Sequence, residues 1–216
     1  LTAARNVNTT IADGLLGVDS LDQKKIDEQL ISLDGTENKG NLGANAILSV
    51  SQATCKAAAM SLRLPLYRHV TRLAEMYGLT LTRIRIPVPC FNILNGGKHG
   101  AGNLDFQEFM VIPPSSKSFP EGLRLGVALY NSLRDVLIYR NAIHSIGDEG
   151  GFAPNLFTNG EAFEVIVEAG KAIGLRLGYD VFFGLDAAAS YFKKVGGYQL
   201  KDRPQPFSTD QLIDYY

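Results

Sequence analysis

Along the first third of the chain, apolar residues recur every three or four positions, the spacing of a helix face turned to a core. Ile26, Leu30, Ile31 and Leu33 follow Asp19-Ser20-Leu21-Asp22, a segment suited to starting a helix, and Asp34-Gly35 stops the run. Between Asn45 and Met60, alanines and serines such as Ala46, Ser49, Ser51, Ala58 and Ala59 let a helix pack closely on its neighbours, until Pro65 ends or redirects it. Residues 1 to about 76 therefore read as helices joined by short loops.

Around Gly78 the pattern changes. Leu79–Arg85 reads as a connector, which divides the chain into domains 1–78 and 79–216. "IPVPCFNILNGG" (Ile86 to Gly97) and "DFQEFMVIP" (Asp105 to Pro113) have the short apolar runs and flanking turn residues of two successive strands. Neither phase of the second is wholly polar, so both of its faces are expected to be covered. Helical spacing returns over Pro120 to Tyr139, with Leu123, Val127, Tyr130, Leu133 and Leu137 on one predicted face, and over Asn159 to Leu175, which closes near Gly174. Val181 to Ser190 then reads as a buried strand ending on an acid. The order strand, strand, helix, helix, strand predicts an α/β layered or barrel domain, although 86–216 is only about half of the ~250 residues of a closed (β/α)8 barrel.

Composition narrows the function classes. A chain of 216 residues, 45% hydrophobic, can bury a core of its own. Lys and Arg number 21 against 22 Asp and Glu, with no basic block, so the electrostatic attraction that dominates nucleic-acid binding is absent. Cys55 and Cys90 show no metal-binding spacing and read as buried thiols in a reducing compartment. No apolar run approaches the roughly 18 residues of a membrane span, and a soluble, cytoplasmic protein is expected. The start at Leu1 and the stop inside an apparent helix at Tyr216 suggest a fragment.

Four polar groups fall at the ends of apolar segments, where α/β folds hold their sites. His99 lies in "NGGKHGAGN", whose glycines allow a backbone to approach a ligand, although a flexible surface turn has the same composition. His69 and His144 lack such a setting and read as surface or helix-end residues. Glu108, between Phe106 and Phe109-Met110, is costly to bury unless paired or protonated, and a carboxyl that keeps its proton near neutral pH can act as a general acid; a salt bridge is the other solution. Gln107 falls on the opposite face of an ideal strand and reaches the same ligand only if the strand is bulged or twisted. In "IGDEGGFAPN", glycines around Asp148-Glu149 let a carboxylate project from a tight loop, with one acid oriented by hydrogen bonds and the other directed to substrate, while an ordinary polar turn also uses Asp and Gly. Asp186 is either a hard-metal ligand or a cap for the residues that follow.

Taken together, "DGTENKGNLGANAILSVSQATCKAAA", "PVPCFNILNGGKHGAGNLDFQEFMVIP", "GDEGGFAPN" and "GLDAAAS" closely resemble, in order and spacing, the enolases, over nearly the whole chain. The resemblance implies the helical part of an N-terminal α+β cap domain, followed by the first half of a TIM-type (β/α)8 barrel beginning ββαα. It implies a Mg²⁺-dependent hydro-lyase interconverting 2-phosphoglycerate and phosphoenolpyruvate in glycolysis and gluconeogenesis. Residue by residue, Glu149 resembles the general acid for hydroxide departure, and Glu108 the carboxylate that orients that acid and the substrate hydroxyl. Gln107 stands beside Glu108 in the substrate site. His99 resembles the substrate-loop histidine and Asp186 a Mg²⁺ ligand. A homo-oligomer, dimer or octamer, is implied as well, and the resemblance admits a surface-associated or secreted pool beside the cytoplasmic one.

The sequence also departs from the pattern. Tyr191 stands where the family has glutamate, and Ser49 and Gln52 where small or apolar residues are usual. The family's mobile serine loop, base lysine, remaining metal carboxylates and phosphate-binding residues correspond to nothing between Leu1 and Tyr216, so this chain alone is expected to be inactive. Two other readings compete: a non-catalytic binding or scaffold protein derived from the fold, and a metal-dependent lyase acting on another carboxylate.

Overall fold

The computed structural model describes residues 1–80 and 83–216. They form two compact units, Leu1–Arg85 and Ile86–Tyr216. Of the connector expected over Leu79–Arg85, Leu81 and Thr82 lie outside the described residues.

The first unit is helical. α1 (Thr2–Asn6) runs through a π-helical turn (Val7–Ile11) into α2 (Ala12–Leu15), and α3 (Gln23–Asp34), α4 (Ala44–Ser61) and α5 (Leu66–Met76) follow. The Asp22 carboxylate caps α3 by accepting from the Lys25 N–H at 3.1 Å, and Gly35, at φ 70°, ends it in the left-handed conformation that lacks a Cβ penalty. Ile11, Ile26, Leu30, Leu42 and Ala46 form the core. Ile31, expected on the same stripe, is half exposed, so the buried stripe is narrower than the apolar pattern. Pro65 caps the start of α5. His69 corrects its expectation: it is 2% exposed, one turn before buried Leu73, and neither ring nitrogen has a partner. Its position in the inward row of α5, not its polarity, decides its burial.

The second unit begins with β1 (Phe91–Asn95) and β2 (Glu108–Ile112), continues with α6 (Phe119–Tyr139) and α7 (Asn159–Ala172), and returns to the sheet as β3 (Phe182–Asp186). The strand order is β1-β2-β3, antiparallel throughout. A 3₁₀ turn (Ala189–Tyr191), a small hairpin of β4 (Lys193–Lys194) and β5 (Gly197–Tyr198), and α8 (Thr209–Tyr215) complete it. Reciprocal capping boxes, Ser118 with Glu121 and Ser208 with Gln211, start α6 and α8. Phe109 and Val111 of β2 are fully buried in one core with Leu129, Leu133 and Leu137 of α6 and Val165 and Ile166 of α7.

The ββααβ order is that of the sequence reading, but coverage differs. Glu108, Met110 and Ile112 are only half buried, and Phe182 and Phe183 are exposed because β3 is an edge of this sheet among the described residues. Nor are the cysteines buried: Cys55 is half buried and Cys90 exposed, both as free thiols. The inner face of α6 also differs. Leu133 and Leu137 are buried, but Leu123 and Val127 are exposed, and Gly122, Gly126 and Leu129 take the inward positions. Here the closest approach selects for the absence of a side chain: a Cβ on Gly126 would lie 2.6 Å from the Phe91 ring, and one on Gly122 3.0 Å from Pro113 Cγ. Hydrophobicity alone cannot find such a face.

Gly126→Ala should therefore destabilise the chain by about 1–3 kcal/mol through overpacking, although alanine favours helices. A lower urea midpoint at unchanged slope checks this; an equal or higher midpoint would show that Phe91 yields freely.

Candidate active site

The site is built on the row Asn95, Glu108 and Asp186, which face one another across β1, β2 and β3. A register irregularity between Asn92 and Leu94 alters the alternation of β1. As a result, Asn92 and Asn95 meet, with Asn92 Nδ2 donating to Asn95 Oδ1 at 2.6 Å.

The "GDEGG" loop is seated on the end of β1. The Asn95 N–H donates to the Phe152 carbonyl at 2.7 Å, and the Phe152 N–H donates to the Ile93 carbonyl at 2.9 Å. The loop closes on itself through Gly147 N–H to the Gly151 carbonyl at 2.8 Å. Its glycines have distinct reasons. A Cβ on Gly147 would be 2.5 Å from Asn95 Nδ2 and 2.8 Å from the His99 carbonyl oxygen, and one on Gly151 would be 3.0 Å from the Leu94 nitrogen. Gly150 has room but takes φ 89°. The Tyr130 hydroxyl donates to the Gly150 carbonyl at 2.8 Å, and the Tyr130 ring stacks on Phe152 with centroids 4.4 Å apart.

Held in this way, Glu149 receives a hydrogen bond from Asn92 Nδ2 at 3.1 Å, and its Oε1 lies 3.6 Å from His99 Nδ1, too long for a hydrogen bond. Asp148 and Glu149 are both exposed, and the contacts with Asn92 and His99 are made by Glu149. Glu108 meets the same carboxylate. Its pKa is raised above the usual 4.5, first by desolvation, then by hydrogen bonding with Glu149 and by the negative charges of Glu149 and Asp186, while His99 pulls the other way. Burial and a neighbouring carboxylate both favour the neutral form of a carboxyl, so Glu108 holds its proton to a higher pH than an exposed glutamate does.

His99, Glu108, Glu149 and Asp186 thus converge from two loops and two strand ends. Gln107 joins them through its backbone, its N–H donating to the Asp186 carbonyl at 3.0 Å, while its side-chain oxygen is buried without a partner. Phe106 and Phe109, three residues apart, pack in the same core with rings 6.2 Å apart, so strict alternation is broken around Gln107. Asp186 turns one oxygen inward along the chain, accepting from the Ala188 N–H at 2.9 Å, and Ala188 itself sits at φ 46°. His144 is exposed, beside the Ala142 carbonyl. Sequence reasoning missed Asn92, Asn95 and Tyr130; two asparagines inside the apolar run "FNILN" were the available signal, since buried amides require partners.

Glu108 has a pH consequence. A carboxyl whose folded pKa is raised contributes fully to stability below the unfolded value and loses that contribution as pH rises through the folded value. Glu108→Gln should therefore raise the melting temperature at neutral pH, with the advantage shrinking toward pH 4 and below. A melting-temperature difference that is flat from acid to neutral pH would overturn the assignment of strain to this carboxyl.

Two family models match the sequence: that of the enolase N-terminal domain over residues 1–70, and that of the enolase C-terminal TIM barrel domain over residues 83–216. The second alone spans more than half of the chain, and the chain belongs to the enolase family.

Proposed function

We propose that this chain supplies the acid half of an enolase centre, a carbon–oxygen lyase site that interconverts 2-phosphoglycerate and phosphoenolpyruvate with release or addition of water. The observation that carries this reading is the approach of Glu108 to Glu149, an acid that stands beside His99 on a loop locked to the end of β1. In the dehydration direction, a base removes the proton on the carbon next to the carboxylate, and that electron pair becomes the new C=C bond. The C–O bond of the hydroxyl breaks as Glu149 delivers a proton to its oxygen, so that water departs instead of hydroxide, which is a poor leaving group. Glu108 orients and reprotonates Glu149, while His99, on the opposing loop, contacts substrate. The resemblance assigns the base to a lysine outside this sequence.

Magnesium dependence belongs to the same proposal. Hard oxygen donors suit Mg²⁺, and Asp186 would supply one, but the ion wants an octahedron of oxygens. Among the described residues no group of three or more His, Cys, Asp or Glu side chains is set for a metal. Bound magnesium would stabilise negative charge developing on the substrate carboxylate; the proton steps above need only the chain's own acids. A homo-oligomer acting in glycolysis completes the reading. No helix among the described residues is long and apolar enough to cross a membrane. A scaffold protein would have no use for a glutamate half-buried against a second carboxylate, which favours the enzyme.

In the complete gene product, Glu149→Gln should lower kcat on the order of 10²–10⁴-fold, followed by the ultraviolet absorbance of phosphoenolpyruvate. Exchange of the substrate's carbon-bound proton with solvent deuterium, which needs only the base, should continue. Dehydration at an undiminished rate would remove Glu149 from the acid role, and loss of exchange together with dehydration would make it a general binding residue.

A further inference from the structure

The His99 loop has a fastening outside the acid cluster. Lys98, next to His99, holds its ammonium 6.0 Å from the centroid of the Tyr191 ring, within the range at which a cation is attracted to an aromatic face. Tyr191 belongs to the 3₁₀ turn that follows Asp186. Its own ring is 57% exposed, but its neighbour Phe192 is buried in the core, with its ring 6.0 Å from that of Phe106. The backbone carrying Tyr191 is therefore fixed while its ring is free to receive Lys98.

The same post-β3 segment grips the far side of the loop. The Lys201 N–H donates to the Asp105 carboxylate at 2.8 Å, and Lys201 Nζ donates to the Gly102 carbonyl. Between these attachments, the His99 N–H donates to the Gly96 carbonyl, and the backbone approaches closely at Gly100, where a Cβ would lie 2.6 Å from the Asn95 carbonyl oxygen. Its Nδ1 is buried without a hydrogen-bond partner. The ring's charged neighbour is Glu149, with Oε1 3.6 Å from Nδ1, too far for a hydrogen bond, so the backbone that carries the ring matters for its position.

We propose that Tyr191 is a positioning residue: its ring receives Lys98 and thereby holds the His99 loop against the strand end that carries Asp186. The catalytic consequence rests on the enolase reading above, but the latch does not. Its energy lies in the ring face and not in the tyrosine hydroxyl, so phenylalanine should replace it and an aliphatic residue should not.

The test compares Tyr191→Phe, Tyr191→Leu, Lys98→Met and the double variant Lys98→Met/Tyr191→Leu in the 216-residue chain. Amide hydrogen exchange over residues 96–102 and the His99 ring resonances by NMR at fixed pH are followed. Tyr191→Leu and Lys98→Met should each speed exchange in the loop by roughly threefold, the scale of an exposed cation–π contact, and shift the His99 resonances in the same direction. Tyr191→Phe should match the unaltered chain, and the double variant should add little to either single change. Equal effects of Phe and Leu, additive effects of the two sites, or an unmoved loop would each overturn the latch. Both readouts require no turnover, so a chain that never dehydrates 2-phosphoglycerate but shows this pattern retains the latch and loses only the reaction.

Discussion

The candidate site depends on how closely one loop can approach one strand. The backbone of Phe152 bonds to Ile93 and Asn95 as a further strand would, which brings residues 147–151 to within van der Waals distance of the end of β1. Only glycine at 147 and 151 tolerates that distance. Buried Asn95 then serves both sides, accepting from Asn92 and facing the loop with its amide nitrogen. Glu149 owes its position to this seat, and through Glu149 so does part of the upward pKa shift of Glu108.

The neighbourhood is electrostatically unrelaxed. Asn95, Glu108 and Asp186 lie in one row of the sheet, and Glu149 is brought to it by the loop, so Glu108 feels the negative charges of both Glu149 and Asp186 while His99 acts in the opposite sense. A fold selected for stability alone would neutralise such a cluster with lysine or arginine. Here the Asn92 amide donates to Glu149 in place of a lysine or arginine. The long-range attachments of Lys98 and Lys201 go instead to the loop around His99, where they fix backbone and leave the acids uncompensated.

Much of the architecture was legible because it follows from periodicity. The caps at Asp22 and Gly35, the ββααβ order and the strand-end position of Asp186 can each be read from local spacing. What failed to appear in the pattern was closeness. Gly122 and Gly126 form the inner face of α6 because the sheet leaves no room there, and a count of apolar residues selects Leu123 and Val127 instead. His69 looked like a surface histidine because polarity was weighed above its place one turn from Leu73. At the site, the acids and His99 stood out by composition, whereas Asn92 and Asn95 were hidden inside a strand whose register irregularity no propensity reveals.

The seating of the acid loop also has a consequence for the order of folding. Asn92 and Glu149 are 57 residues apart in sequence, and all of α6 lies between them. Their contact requires closure of a long loop, whose entropy cost is met only when α6 has docked and Tyr130 has reached Gly150. Local helices can form before that moment, but the carboxyl pair cannot. The raised pKa of Glu108 is thus a property of the finished tertiary structure and not of any local segment formed on the way to it.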